Sequence, residues 1–382
     1  MSDDARRGWT AAVFLFVFTG AVGFQMRGAL LPALQAEFGV TEALLGLVAT
    51  AGTAGFIVAV LGAGFLAGRV DVRRALLGSA GATVACVLLM SAAPTYGLFL
   101  LALLGRGVAT GPFRALDRAV LGHLYPSRRG RVFNLYALVW AVGATLGPLY
   151  VTAVLAVGDW RLAYAGVAVG FLPALYLVYR LDLPESVTER AITVADVRAT
   201  LRRPAVGGMA AALLVSGGIE GTLFTWLPTF AGQFFGPGRA NAVLSAFLLA
   251  YVPARLLYSR VVDRLPTVDL VLALGVAVVP LAYVTFFVAA GPWLFVSVFC
   301  LGFVVSGIYP SLSAFGVDAA PEYSGPVNAV ATAAAYSGIA VVPPLLGGYA
   351  ATAGIGAAMR LLVPLAAAFV LVVGATRVRV AR

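Results

Sequence analysis

One segment of the sequence carries charged residues where a membrane-spanning helix is expected. Residues 98–126 are mostly apolar, yet they contain Arg106, Arg114, Asp117 and Arg118. Because a helix advances by about 100° per residue, these four side chains fall within about 120° of one another. A charge at the centre of a bilayer costs roughly 2.5–3.5 kcal/mol. We therefore expect this face to be turned toward protein or a water-filled cavity.

The charges of this face do not balance within the helix. Asp117 can neutralise one arginine, and Arg114, three positions before it, is the best placed to pair with it. Arg118 is close enough to the end of the span to extend to the membrane surface, whereas Arg106 and Arg114 are too deep. Two interpretations remain open: an ion-pair network that braces a gate, or a site for a substrate or a coupling ion.

Glu220 is the second candidate for chemistry, because it falls near the middle of another apolar segment. A carboxylate at that depth must be protonated, paired or hydrated, which suits a group that takes up a proton or binds a hydroxylated ligand. The alternative is a buried acid that pairs with Arg27 or Arg255. Gln25 and Arg27 lie in the first apolar segment, and the planar guanidinium of Arg27 can equally bind an anionic ligand.

Trp140 and Trp226 are candidate stacking surfaces within the apolar segments. Flat aromatic faces suit sugars and other rings, but tryptophan is equally common in the aromatic belt of a membrane interface.

The elements that must position these residues are transmembrane helices. The chain has 382 residues, of which 61% are hydrophobic and 11% charged, whereas a soluble domain has about 25% charged residues. We predict an all-α integral membrane protein with twelve transmembrane helices. The predicted spans are 9–33, 42–67, 74–93, 97–125, 133–157, 161–180, 206–234, 239–262, 267–290, 292–316, 324–348 and 354–376.

The basic residues, all of them arginine, predict the orientation. With both termini in the cytoplasm, eighteen of the 26 arginines fall on the cytoplasmic side, six fall within spans, and only Arg161 and Arg239 fall in outside loops. This distribution follows the positive-inside rule. It also accounts for the net charge of +10, so we do not expect a nucleic-acid partner.

A repeat with an offset of 195 residues divides the chain into halves. It pairs Pro126 with Pro321 and Gly143 with Gly338, and also Gly107 with Gly302. We predict a six-helix half at 1–180, a cytoplasmic linker at 181–205 in which Thr193 caps a short helix from Val194 to Leu201, and a second six-helix half at 206–382. Two halves related by a pseudo-two-fold axis along the membrane normal are typical of transporters.

Two loop motifs, one after span two and one at the end of span eight, resemble those of the major facilitator superfamily. The stretch GFLAGRVDVRR at residues 64–74 is similar to that family's cytoplasmic loop motif, and SRVVDR at residues 259–264 is similar to its second copy. The resemblance implies that Arg69, Asp71, Asp263 and Arg264 form a cytoplasmic gate that holds the halves together.

Three further stretches resemble the fucose–proton symporter group within that family. They are GGIEGTLFTWLPTF around Glu220, RVFNLYALVWAVGATLGP around Asn134, and GFVVSGIYPS in the tenth span. The resemblance implies a sugar-like solute, proton coupling and a binding role for Asn134. The sequence departs from that group at Phe24 and Phe113, where the group has acids, and at Asp117, which replaces an asparagine.

These observations together predict a secondary active transporter in the cytoplasmic membrane, not an enzyme. We expect it to be a monomer that moves a small polar, sugar-like solute by alternating access. Since no ATP-binding or dinucleotide-binding motif is found, we expect no cofactor and an ion gradient, in the first instance of protons, as the energy source. An exporter of organic anions or amphipathic compounds is the alternative, and a membrane sensor that binds without transport is more remote.

Overall fold

The structure is a computed structural model that describes residues 3–66, 71–181, 193–261 and 266–380. Within these residues, twelve helical segments are long and apolar enough to cross a membrane. They coincide in number and position with the spans predicted from the sequence, so the all-α membrane fold is confirmed. No β-strand occurs in this part of the chain.

Seventeen α-helices make up these twelve segments and one short connecting helix in the described part of the chain. In chain order they are α1 (Asp3–Phe38), α2 (Glu42–Leu45), α3 (Leu47–Leu66), α4 (Val72–Ser91), α5 (Tyr96–Leu124), α6 (Arg129–Leu155), α7 (Trp160–Arg180), α8 (Val194–Leu201), α9 (Pro204–Ala231), α10 (Pro237–Leu249), α11 (Tyr251–Val261), α12 (Thr267–Tyr283), α13 (Trp293–Val305), α14 (Ile308–Ala319), α15 (Ser324–Ala353), α16 (Ile355–Arg360) and α17 (Leu362–Val380).

Three described spans of the second half of the chain are interrupted four or five residues before a proline, namely Pro253, Pro310 and Pro364. Pro253 has no N–H to donate to the carbonyl of Leu249, four residues earlier, and α10 ends at Leu249. Pro310 stands in the same relation to Ser306, and α13 ends one residue before Ser306. Each break leaves backbone groups and polar side chains together inside a span, which is where functional residues are often found.

The chain folds into two compact units. The first comprises Met1–Leu30 with Ala51–Ile192, and the second comprises Leu31–Thr50 with Thr193–Arg382. In the first unit α4 packs against α5 and α7, and in the second α9 packs against α10, α15 and α17. The predicted boundaries at residues 180 and 205 remain a prediction.

The short helix predicted within the linker is confirmed as α8. Thr193 and Asp196 form a reciprocal capping box, in which each side chain accepts from the other residue's backbone N–H. Residues 182–192 of the predicted linker lie outside the described residues.

Glycines of the 195-residue repeat make equivalent contacts inside each unit. A Cβ on Gly107 in α5 would lie 2.7 Å from the carbonyl oxygen of Gly52 in α3. A Cβ on Gly302 in α13 would meet the carbonyl oxygen of Phe247 in α10. In both units the two residues are 55 positions apart, so the sequence repeat corresponds to a repeated helix contact, of the close kind that small residues permit.

Helix α5 has an exposed apolar side as well as a charged one. Leu101 is 63% exposed, Leu104 37% and Val108 46%. At about 100° per residue, these three positions lie roughly opposite the charged face around Arg106 and Asp117. The apolar side suits contact with lipid, so the charged side is turned toward protein, as the sequence predicts.

Candidate functional site

The charged face of α5 contains a buried carboxylate with two partners. Asp117 is fully buried, and its Oδ2 atom accepts a hydrogen bond of 2.5 Å from the hydroxyl of Tyr136 in α6. The guanidinium Nη1 of Arg114 lies 3.5 Å from the same oxygen. The predicted pairing of Asp117 with Arg114 is therefore confirmed.

Arg114 also interacts with the aromatic ring of this group. Its guanidinium carbon lies 5.3 Å from the centre of the Tyr136 ring, within the range of a cation–π contact. Arg118, one position after Asp117, is exposed, and its extension toward the membrane surface remains a prediction. We call Asp117, Tyr136 and Arg114 the first triad.

Glu220 belongs to a second group of the same composition, in the other unit. Its Oε1 atom accepts a hydrogen bond of 2.5 Å from the hydroxyl of Tyr251. The guanidinium carbon of Arg255 lies 5.5 Å from the centre of the Tyr251 ring, and Arg255 interacts electrostatically with Glu220. We call Glu220, Tyr251 and Arg255 the second triad. Arg255 is thus the arginine near Glu220 inside its own unit.

The second triad depends on the break between α10 and α11. Tyr251 is the first residue of α11, directly after the break, and Arg255 follows it by one helical turn. Glu220 approaches them from α9, where Gly217 and Gly221 lie close to α15: a Cβ on Gly221 would be 2.7 Å from the Cα of Ile339. The glycines therefore let α9 pack closely against α15 while Glu220 faces the broken span.

Each triad can hold a proton-dependent charge. A carboxylate that accepts from a phenol can be charged or protonated. Among the described residues, no group of three or more histidine, cysteine or acidic side chains is placed to hold a metal ion. The carboxyl, phenol and guanidinium groups of both triads offer proton binding and hydrogen bonding.

Three other predicted residues lie inside the first unit. Gln25 is fully buried, and neither its Nε2 nor its Oε1 has a hydrogen-bond partner among the described residues. Arg27 is 7% exposed, donates from Nε to the carbonyl of Phe24 at 2.9 Å, and stacks over the Phe24 ring at 3.9 Å. Arg106 is also 7% exposed. Buried polar groups are normally paired, so the side chain of Gln25 is unusual.

The predicted aromatic and amide contacts are distributed over both units. Trp226 is fully buried in α9, and its Nε1 donates to the carbonyl of Pro343 in α15 at 2.9 Å. Its indole therefore braces α9 against α15. Trp140 is half-buried in α6, and Asn134 is exposed two turns before it.

One of the four predicted gate residues is described. Asp71 is the N-cap of α4, where its Oδ1 accepts from the backbone N–H of Arg74 at 2.9 Å. Arg69, Asp263 and Arg264 lie outside the described residues, so the gate remains a prediction.

Tyr251 and Tyr164 are the residues that the sequence interpretation missed. Tyr251 had a signal, since it precedes Arg255 by four positions within a predicted span and so shares its helix face. Tyr164 in α7 had none, because its neighbours Arg27 and Arg106 come from distant parts of the chain.

Comparison with known sequences places the chain among membrane transporters. The family model described as Major Facilitator Superfamily matches residues 13–343. A protein of Haemophilus influenzae (strain 86-028NP) named "Probable sugar efflux transporter" is 24% identical over 255 residues, which is 66% of this chain. The match covers 62% of that relative, so it spans less than two thirds of the relative's length.

Solved structures share the fold over nearly the whole chain. A variant of the nucleoside transporter NupG has a TM-score of 0.79 at 12% identity and covers 97% of this chain and 99% of its own. The E.coli fucose:proton symporter FucP has a TM-score of 0.67 at 17% identity, with coverages of 96% and 98%. The human organic anion transporter TETRAN has a TM-score of 0.73 at 17% identity, with coverages of 98% and 100%. At these identities the likeness shows the fold.

Proposed function

Because the chain belongs to the Major Facilitator Superfamily, we propose that it is a secondary active transporter that moves a small, sugar-like solute by alternating access and is driven by protons. One observation carries the proposal: Glu220, an acid within a transmembrane segment, accepts a hydrogen bond from Tyr251 at a break in a neighbouring span. An ion-coupled transporter needs such a group, since a proton must bind inside the membrane for its gradient to do work.

The second triad supports proton binding by Glu220 in particular. Glu220 is half-buried, whereas Asp117 is fully buried and tied to both Tyr136 and Arg114. Glu220 has Tyr251 as its hydrogen-bond donor and Arg255 as its electrostatic partner. We assign proton coupling to Glu220 and a bracing role to Asp117.

A sugar-like solute agrees with the polar groups that lack protein partners. Both amide atoms of the buried Gln25 are without one in the described part of the chain, and hydroxyl groups are suitable partners for a carboxamide that both donates and accepts. The name of the Haemophilus influenzae relative points to the same class of solute. Trp140, half-buried on α6, is a candidate stacking surface.

Transport of an organic anion is the second candidate, because of an arginine inside the first unit. Arg114 is 21% exposed, and a guanidinium binds carboxylates in a bidentate manner. A solute with a carboxylate would use this group, whereas a neutral sugar would not.

The location and orientation follow from the arginine distribution. With eighteen arginines on one side and two on the other, we place the chain in the cytoplasmic membrane with both termini inside. We propose that the monomer is the transporting unit, in contact with the lipid bilayer and a small-molecule solute.

The experiment that tests the substrate class is a thermal-shift screen of the purified chain, followed by transport in proteoliposomes. Neutral sugars are expected to raise the melting temperature, and the sugars that do so are expected to move when a pH gradient is imposed. Stabilisation by small carboxylates and sugar acids alone would replace the sugar proposal with the organic-anion one. A stabilising sugar that moves at the same rate with and without the gradient would overturn the proton coupling.

A further inference from the structure

Within the part of the chain that the structure describes, Arg106 is a buried cation of the first unit with no carboxylate beside it. Its guanidinium makes a long hydrogen bond, 3.5 Å from Nη2 to the carbonyl of Gly20 in α1, and its Nε has no partner in that part of the chain. Among the described residues, its electrostatic neighbours are the phenol of Tyr164 and the thiol of Cys86. Ordinary phenols and thiols are uncharged at neutral pH, so neither balances the guanidinium.

A second guanidinium increases the positive charge at this place. Tyr164 in α7 interacts electrostatically with both Arg106 and Arg27. Each guanidinium group lies against a glycine, where a larger side chain would collide with it. A Cβ on Gly23 would lie 3.2 Å from Nη2 of Arg106, and a Cβ on Gly52 would meet Nη1 of Arg27. The hydroxyl of Tyr164, whose side chain is 1% exposed, has no hydrogen-bond partner in the described segments. Donors from three helices therefore meet at one buried place.

Such a cluster requires a negative charge. Arginine stays protonated in proteins, so burial cannot remove its charge as it can for lysine or histidine. A buried charge without a counter-charge costs several kcal/mol, and a buried hydroxyl without a partner adds to that cost. The two guanidinium groups and the phenol offer hydrogen-bond donors, which together form the binding environment of an anion.

We propose that the first unit binds a small monovalent anion, of the size and charge of chloride, between Arg106, Arg27 and the hydroxyl of Tyr164. The anion is small because each of these side chains is at most 7% exposed. It is monovalent because the desolvation cost grows steeply with charge, while Arg27 already has Phe24 as a partner. Its role is structural, and it does not depend on the solute that is transported.

The proposal is tested by the thermal stability of the purified full chain at constant ionic strength without added solute. Chloride or bromide is exchanged for gluconate, an anion too large for the buried position. Saturating chloride is expected to raise the melting temperature by about 3 °C or more, with a hyperbolic dependence on its concentration. An equal melting temperature in chloride and gluconate would overturn the proposal.

Two variants and one control test whether the chloride dependence of the melting temperature arises at the proposed site. Arg106→Gln is expected to abolish the chloride dependence, and Tyr164→Phe is expected to raise the half-saturating chloride concentration several-fold, since it removes one donor. Arg118→Gln, which changes an exposed arginine on the same helix, is expected to keep the wild-type dependence. If Arg106→Gln does not fold, Tyr164→Phe decides the matter: an unchanged half-saturating concentration would contradict the proposed site. Since no transport is measured, this test is independent of the proposed function.

Discussion

The hydroxyl of Tyr251 donates to Oε1 of Glu220 at 2.5 Å, the same distance at which Tyr136 donates to Asp117 in the other unit. In both triads an arginine lies near the tyrosine ring. The triads are not related by the 195-residue repeat, since that offset brings Asp117 to Leu312. Each unit therefore arrives at a carboxylate–tyrosine–arginine group by its own arrangement of helices.

Removal of the Tyr251 hydroxyl is expected to weaken proton-driven transport. A hydrogen bond to a charged group contributes about 1.5–3 kcal/mol, so Tyr251→Phe is expected to lower the initial rate by about tenfold or more. The measurement is solute uptake into proteoliposomes under an imposed pH gradient. Tyr258→Phe is the matched control, because that hydroxyl, on the same helix, donates to the carbonyl of Phe303. Equal rates for the two variants would contradict the role of the second triad.

Loss of the Asp117 charge is expected to destabilise the first unit. Asp117→Asn leaves Arg114 beside a neutral amide, and breaking a buried ion pair costs about 3 kcal/mol, which corresponds to a fall of several degrees in melting temperature. Asp159→Asn is the control, since Asp159 is 50% exposed and pairs with Arg161 at the surface, where an ion pair contributes at most about 1 kcal/mol. A stability of Asp117→Asn equal to that of the control, with normal transport, would refute the bracing role.

A methyl group at Gly107 is expected to disturb the repeated helix contact. In Gly107→Ala the new Cβ would lie 2.7 Å from the carbonyl oxygen of Gly52 and 2.8 Å from the backbone nitrogen of Phe56. Overpacking of this kind costs about 1–3 kcal/mol. Gly81→Ala in α4 has no atom within 4 Å of the new Cβ, so it is expected to be neutral or stabilising by up to about 1 kcal/mol. The melting temperatures of the two variants are compared by thermal unfolding. A melting temperature of Gly107→Ala above that of Gly81→Ala would contradict the close contact between α5 and α3 at Gly107.

The sequence predicts the helices and the local pairs, because these depend on near neighbours. The apolar segments, the cap at Thr193 and the pairing of Arg114 with Asp117 each involve residues of a single helix or its first turn. The proline breaks were not predicted, because Pro112 and Pro148 also lie within spans and yet α5 and α6 continue through them.

The sequence does not predict the partners that come from distant helices. Tyr251 meets Glu220 across 31 positions, and Trp226 donates to Pro343 across 117. For Trp226 the composition suggested a stacking surface, whereas packing of α9 on α15 places its N–H on a backbone carbonyl. Only the tertiary arrangement decides between these uses of the same side chain.

Proton coupling at Glu220 is the central claim, and Glu220→Gln in proteoliposomes tests it most directly. The amide keeps the size of the side chain and can still bind Tyr251, but it cannot take up a proton. We expect the variant to exchange labelled for unlabelled solute at a rate within about threefold of the wild type, a change of less than about 1 kcal/mol in the barrier. We expect accumulation of solute against its own gradient, driven by the imposed pH gradient, to be abolished. Full pH-driven accumulation by Glu220→Gln would contradict the account.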